Sequence, residues 1–120
     1  MKNEATYRKL KVWQKSMQLV TILYSELKFF PTEELFGLSS QIKRSAISIP
    51  SNVAEGYGRD GKKDYLRFLN ISLSSLFELQ TQIEIAFNLK YLEKDSFEEL
   101  YEYTREIERM LTSFIRKIKD

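Results

Sequence analysis

Four separate stretches of this chain repeat apolar side chains at steps of three and four residues, and the period-two alternation of a half-buried strand is sustained nowhere. Each stretch therefore predicts an amphipathic helix whose apolar stripe another element must cover. With no strands to do so, the cover must come from other helices. In the first stretch Trp13, Met17, Val20, Tyr24 and Leu27 fall on one face, which Phe29-Phe30-Pro31 ends. Thr32 is placed to cap the next start, with Glu33 and Glu34 in a first turn where negative charge suits the helix dipole.

The second helix carries Leu38, Ile42, Ala46, Ile49 and Val53 on one face, runs through Pro50 and stops at Gly56 and Gly58. Pro50 has no amide hydrogen and crowds the carbonyl of Ala46, so a kink is expected there, with a break into two short helices as the competing reading. The third helix spans about residues 61 to 92, with Tyr65, Leu69, Leu76, Leu79, Ile83 and Ala86 or Phe87 inward and Ser72 among them. Asp95-Ser96 followed by Glu98 and Glu99 reads as a capping-box start for the fourth, whose stripe is Leu100, Ile107, Leu111, Phe114 and Ile118. The connections are short, which makes consecutive helices antiparallel neighbours. The expected fold is thus all-α: one domain over residues 1–120, an up-down-up-down four-helix bundle with the second helix kinked near Pro50.

The chain has no cysteine and no histidine. Disulfides and thiolate metal sites are excluded, and the commonest general base, the commonest zinc ligand and the usual di-iron partner of glutamate are missing. Nor does any Gly-rich phosphate loop or nucleophile–base pair stand out. Glu98, Glu99, Glu102 and Glu106 superficially resemble the magnesium-binding face of all-α nucleotide pyrophosphohydrolases. The facing helix, however, offers only Glu78 and Glu84, at a different spacing, and Glu98 and Glu99 are accounted for by capping and the dipole. The expectation is a protein that is not an enzyme and uses no cofactor or metal. The first residues are polar, and no apolar run approaches the ~18 residues of a membrane span, so a soluble, cytoplasmic chain with no membrane partner is expected.

Net charge is only +2, but its distribution is uneven once the topology is applied. The start of helix 1, the turn between helices 2 and 3 and the chain's end meet at one pole. That pole gathers Lys2, Arg8, Lys9, Lys11, Lys15, Arg59, Lys62, Lys63, Arg67, Arg116, Lys117 and Lys119 against Glu4, Glu55, Asp60, Asp64 and Asp120, an excess of seven positive charges. At the opposite pole Glu26, Glu33, Glu34, Glu84, Glu93, Asp95, Glu98, Glu99 and Glu102 face Lys28, Lys90 and Lys94, an excess of six negative. Each pole receives two helix starts and two helix ends, so the dipoles largely cancel and the side chains set the difference. A basic pole flanked by Tyr7, Tyr57 and Tyr65 suits a phosphate backbone with bases stacked on tyrosine. The candidate nucleic-acid-binding set is Lys9, Lys11, Lys15, Arg59, Lys62, Lys63, Arg67, Arg116 and Lys117.

Other polar residues read as packing. Ser48, Ser51 and Asn52 lie beside Pro50, where freed carbonyls need partners, and Ser72, Ser74 and Ser75 would let helices 2 and 3 approach closely. Lys43 and Arg44 sit about 18 Å along the helix from the basic pole. Lys43 is expected to pair with an acid on another subunit and Arg44 to face the interior of an assembly, each weighed against plain solvation. Trp13 is expected to anchor the core or a subunit contact.

These residues also carry a resemblance. Val12-Trp13-Gln14, Phe30-Pro31 with Glu34 and Gly37-Leu38, Gln41 with Lys43-Arg44-Ser45-Ala46, and Ser48-Ile49-Pro50-Ser51-Asn52-Val53-Ala54-Glu55-Gly56 occur in that order. With Arg59, Phe68-Leu69, Ser72, Ser74-Ser75, Glu78-Leu79 and Gln82-Ile83, the chain resembles the four-helix-bundle 23S rRNA intervening-sequence protein family over roughly residues 7 to 118. Lys43-Arg44 stands where many relatives carry two arginines, and Val53 where isoleucine is more usual. The resemblance implies a four-helix bundle assembled as a ring-like homopentamer, with no established enzymatic activity. It further implies kinship with the accessory proteins of diversity-generating retroelements, basic pentamers that bind nucleic acid and a reverse transcriptase. The expected function is weak RNA or DNA binding through the basic pole. The alternative is a protein–protein scaffold or reverse-transcriptase accessory that does not itself touch nucleic acid.

Overall fold

The first helix, α1 (Lys11–Leu27), buries Val12, Ser16, Leu19, Leu23 and Leu27. That stripe lies one residue earlier than the expected one at its first four positions and shares Leu27 with it. Met17 and Tyr24 are 43% and 39% exposed, while Trp13 and Val20 are half-buried on the flank. Two apolar stripes run side by side on this helix, and the leucine stripe fills the interior while the aromatic one borders the second helix. This computed structural model describes residues 6–120, so Lys2 and Glu4, assigned to the basic pole, lie outside the described residues.

The helix α2 (Leu38–Tyr57) runs unbroken through Pro50, which is buried, and a split into two short helices is ruled out. Neighbouring side chains bond the carbonyls near the proline: Asn52 Nδ2 donates to Ser48 O at 2.8 Å and Ser72 Oγ to Ile49 O at 2.7 Å. Thr32 does not cap this helix but opens a short 3-10 turn, Thr32–Glu34. The cap comes from Glu34, whose Oε1 accepts from the Leu38 amide at 3.1 Å while its Oε2 accepts from the Tyr91 hydroxyl at 2.9 Å. One carboxylate thereby starts a helix and ties the two loops of that pole together.

Gly61, at φ +88°, turns the chain into α3 (Lys62–Asn88), which at 27 residues is about 40 Å long. Leu69, Leu76, Leu79, Ile83 and Ala86 are buried, so Ala86 takes the inward place and Phe87 stacks on Phe97 at 4.5 Å. The last helix, α4 (Lys94–Lys119), starts one residue before the expected Asp95-Ser96 box. Glu93 holds the cap position without a side-chain hydrogen bond, which leaves Asp95 and Ser96 inside the first turn. Leu100, Thr104, Ile107, Leu111 and Ile115 are buried, with Phe114 and Ile118 half-buried beside them.

The most extensive packing is α2 on α3, followed by α3 on α4 and α1 on α2, and α1 against α4 closes the circuit. Sequence neighbours are thus spatial neighbours around one core, as an up-down-up-down bundle requires, and no strand occurs among the described residues. Each buried leucine or isoleucine contributes about 1.5–3 kcal/mol. The chain has no cysteine, so no disulfide adds to this packing. Among the described residues no helix is long and apolar enough to cross a membrane.

Candidate nucleic-acid interface

Two contacts gather chain-distant cations at one end of the bundle. Lys62 Nζ at the start of α3 donates to the carbonyl of Lys119 at the end of α4, at 3.4 Å. Lys11, opening α1, and Lys117 line one groove of about 320 Å³ together with Leu10, Met110 and Phe114. The start of α1, the start of α3 and the end of α4 therefore share a pole, where Lys63, Arg116, Lys117 and Lys119 are exposed.

The expected set divides into two groups. Lys9, Lys11, Lys62, Lys63, Arg116 and Lys117 make no ion pair with any described acid. Lys15, Arg59 and Arg67 are engaged. Lys15 sits one turn in from the end of α1, pairs with Glu106 of α4 at 3.1 Å and lies 4.4 Å from the Tyr103 ring centre. Arg59 pairs with Glu55 at 3.1 Å and Arg67 with Asp64 at 3.3 Å, and both guanidinium groups rest on the Phe68 ring, at 4.8 and 4.5 Å. Counting described residues, and with Glu106 drawn in beside Lys15, the pole holds eleven cations against five acids. The exposed pairs are each worth only about 0–1 kcal/mol, so a phosphate can compete for their cations. Phe68 as a platform for two arginines was missed in the sequence, where the adjacency of Arg67 and Phe68 is the only trace of it.

The flanking tyrosines differ from the stacking role expected of them. Tyr65 is half-buried, edge-on to Tyr57 at 6.3 Å and to Phe114 at 5.8 Å, and its buried hydroxyl has no hydrogen-bond partner. Tyr7 packs edge-on to Trp13 at 5.2 Å, with Arg8 over both rings. Tyr57 is exposed. Burial, reinforced by Tyr57, pushes the Tyr65 phenol up to about 12. Tyr65→Phe is expected to raise stability by about 1 kcal/mol in urea titrations, because a buried unsatisfied polar group is removed. Between about pH 10 and 12 the folded phenol keeps a proton that the unfolded one has lost. Stability of the natural chain should therefore fall as pH rises through that window, and the phenylalanine variant should show a shallower fall.

The Pro50 segment is structural in its contacts. Asn52 bonds both the carbonyl and the hydroxyl of Ser48, and the Ser48 hydroxyl meets that of Ser75 on α3 at 2.8 Å. Glu55 holds Arg59. At Gly56 a β-carbon would stand 2.9 Å from Phe68 Cβ and 3.0 Å from Tyr65 Cδ1, so only glycine admits this approach of α2 to α3. Ser51 is exposed and borders a groove with Trp13, Met17, Ile47 and Pro50.

The mid-helix cations find partners inside the chain. Lys43 Nζ lies 4.9 Å from the ring centre of Tyr24 on α1. Arg44 pairs with Glu78 of α3 and bonds Gln41, and Gln82 links Glu78 to Ser45. Trp13 is half-buried and packs against the core from the flank. The carboxylates of α4 are spread over separate cations, Glu98 on Lys94 and Glu102 on Arg109. Among the described residues no three His, Cys, Asp or Glu side chains are grouped to hold a metal ion.

Comparison with known proteins agrees with this architecture. A crystal structure of a protein of unknown function from the S23 ribosomal protein family, from Bacteroides thetaiotaomicron, superposes with a TM-score of 0.81 at 28% identity. The match covers 88% of this chain and 95% of that one. No curated protein matches. The family model for 23S rRNA-intervening sequence proteins matches residues 8–113. Nearly the whole bundle, from the turn before α1 to the last turns of α4, is covered by that match, and the chain belongs to the 23S rRNA-intervening sequence protein family.

Proposed function

We propose that this protein is a non-enzymatic, oligomeric helical bundle that binds RNA or DNA weakly and with little sequence preference through its basic pole. The observation that carries the reading is the convergence of Lys11, Lys62, Lys63, Arg116 and Lys117, from three distant parts of the chain, on one end where no described acid pairs with them. Unpaired, exposed cations without a base-reading groove suit phosphates, which position a nucleic acid without specifying its sequence. The apolar flank of α1 and α2 supports the oligomeric half of the proposal. Met17, Tyr24 and Ile47 are exposed there beside half-buried Trp13, along grooves of about 740 and 320 Å³. Assembly would set several weak poles side by side, and linked contacts raise avidity without new chemistry.

Titration of single-stranded RNA and duplex DNA at several salt concentrations tests this. If the six unpaired members of the candidate set, the five above and Lys9, meet phosphates, the logarithm of affinity for a single strand should fall against log salt with a slope of roughly −4. Undetectable binding at low salt would refute the proposal and favour a protein-docking scaffold.

A further inference from the structure

Arg59 and Arg67 show how a guanidinium is held at the basic pole: each rests on the Phe68 ring and each meets a carboxylate, Glu55 or Asp64. The opposite pole presents the same two ingredients, with no described guanidinium over its exposed rings. Phe29 and Phe36 are 82% and 91% exposed, far above any other large apolar residue described, and no described cation lies over either ring. Both belong to the α1–α2 loop, which also carries Glu33 and exposed Leu35. The bond from Tyr91 to Glu34, and the Phe30–Tyr91 ring contact at 5.4 Å, fasten that loop to the α3–α4 loop, which brings Glu93 and half-exposed Leu89 to the same end. Across this pole nine acids outnumber three lysines and Arg109, which Glu102 draws in.

A face of this sign repels nucleic acid and attracts cations. The exposed rings add a preference among cations, since planar, weakly hydrated guanidinium stacks on aromatic faces better than ammonium does. We propose that the acidic pole docks an arginine-rich segment of another protein. Guanidinium groups lie on Phe29 and Phe36, and their charge is met by Glu33 and Glu93. This site stands at the far end of the bundle from the basic pole and does not depend on nucleic-acid binding there.

The test uses the full chain and two fluorescein-labelled peptides of about ten residues, arginine alternating with serine and lysine alternating with serine, followed by anisotropy. The arginine peptide should bind roughly threefold or more tighter than the lysine peptide, and added salt should weaken both. Phe29→Ala with Phe36→Ala should weaken the arginine peptide roughly fivefold and erase most of its advantage. Glu33→Gln with Glu93→Gln should weaken both peptides together. All four side chains are exposed, so unchanged circular dichroism certifies the fold of each variant. Equal affinity for the two peptides, or arginine-peptide binding untouched by the double alanine variant, would overturn the proposal. So would assembly of the chain alone that Phe36→Ala dissolves, because the face would then belong to a second copy.

Discussion

Replacing Lys62, Lys63 and Lys117 by glutamate is expected to lower affinity for single-stranded RNA by at least about a hundredfold near 50 mM salt, with helicity unchanged. These three lysines are exposed, lie at the shared end of α3 and α4, and have no described acid to release when they bind phosphate. Each reversal moves the local charge by two, so three reversals cancel the excess of six that remains once Glu106 is counted. Binding driven by counterion release should vanish with that excess, and the salt slope should flatten in step. Reversing Lys15 makes a useful contrast. It is already held by Glu106 and lies a turn in from the pole, so its loss should weaken binding less than loss of any one of the three. The measurement is anisotropy with a labelled RNA, beside a thermal melt to show that each variant is folded. Retained affinity in the triple variant would move the interface away from this pole.

The difference between Lys15 and Lys62 shows which parts of the site were legible in the amino-acid sequence. The gathering of cations at one pole follows from helix count, short connections and antiparallel neighbours, all of which the spacing of apolar residues dictates. Which cations are already satisfied does not follow. The Lys15–Glu106 and Arg44–Glu78 pairs join residues on different helices, and they depend on how far one helix has slid along the other and on its rotation. The same rotation decided the error in α1. Val12, Leu19 and Leu23 lie beside Trp13, Val20 and Tyr24 around the helix, and either stripe satisfies a period of 3.6. Leu27 belongs to both stripes, and Trp13 and Val20 pack against the core from the side. In the fold the leucines fit among Ile42, Ile49, Leu76 and Leu111, and the larger side chains line the flank.

Caps were legible only in part, for a related reason. Glu33 and Glu34 mark a helix start in the sequence, and Glu34 does provide it, but its second oxygen is fixed by Tyr91 from a loop far along the chain. Asp95 and Ser96 have the composition of a capping box, yet the helix begins at Lys94 and encloses them. With Phe97 stacked on Phe87 of α3, tertiary contact outweighs a local cap worth about 1 kcal/mol.

Gly56→Val should be the most damaging single change at this end of the molecule, costing about 3 kcal/mol or more. The position is buried on α2 where it crosses α3, and a β-carbon alone would come within 2.9 Å of Phe68 Cβ and 3.3 Å of the Tyr65 carbonyl. The Tyr65 carbonyl is backbone, and the Phe68 β-carbon moves only with its own main chain, so neither can swing aside as a flexible side-chain tip would. Two further methyls have no space at all. Helix propensity offsets only a few tenths of a kcal/mol of this, because valine is itself a mediocre helix former. The melting temperature should drop by roughly 10 °C or more, and urea midpoints should fall with it. Phe68 also seats Arg59 and Arg67, so forcing α2 and α3 apart should loosen both arginines and weaken RNA binding even in samples held cold enough to stay folded. Gly58→Val serves as the control: its β-carbon would meet only carbonyls 3.6 Å or more away, so it should leave both the melt and the binding curve nearly where they were.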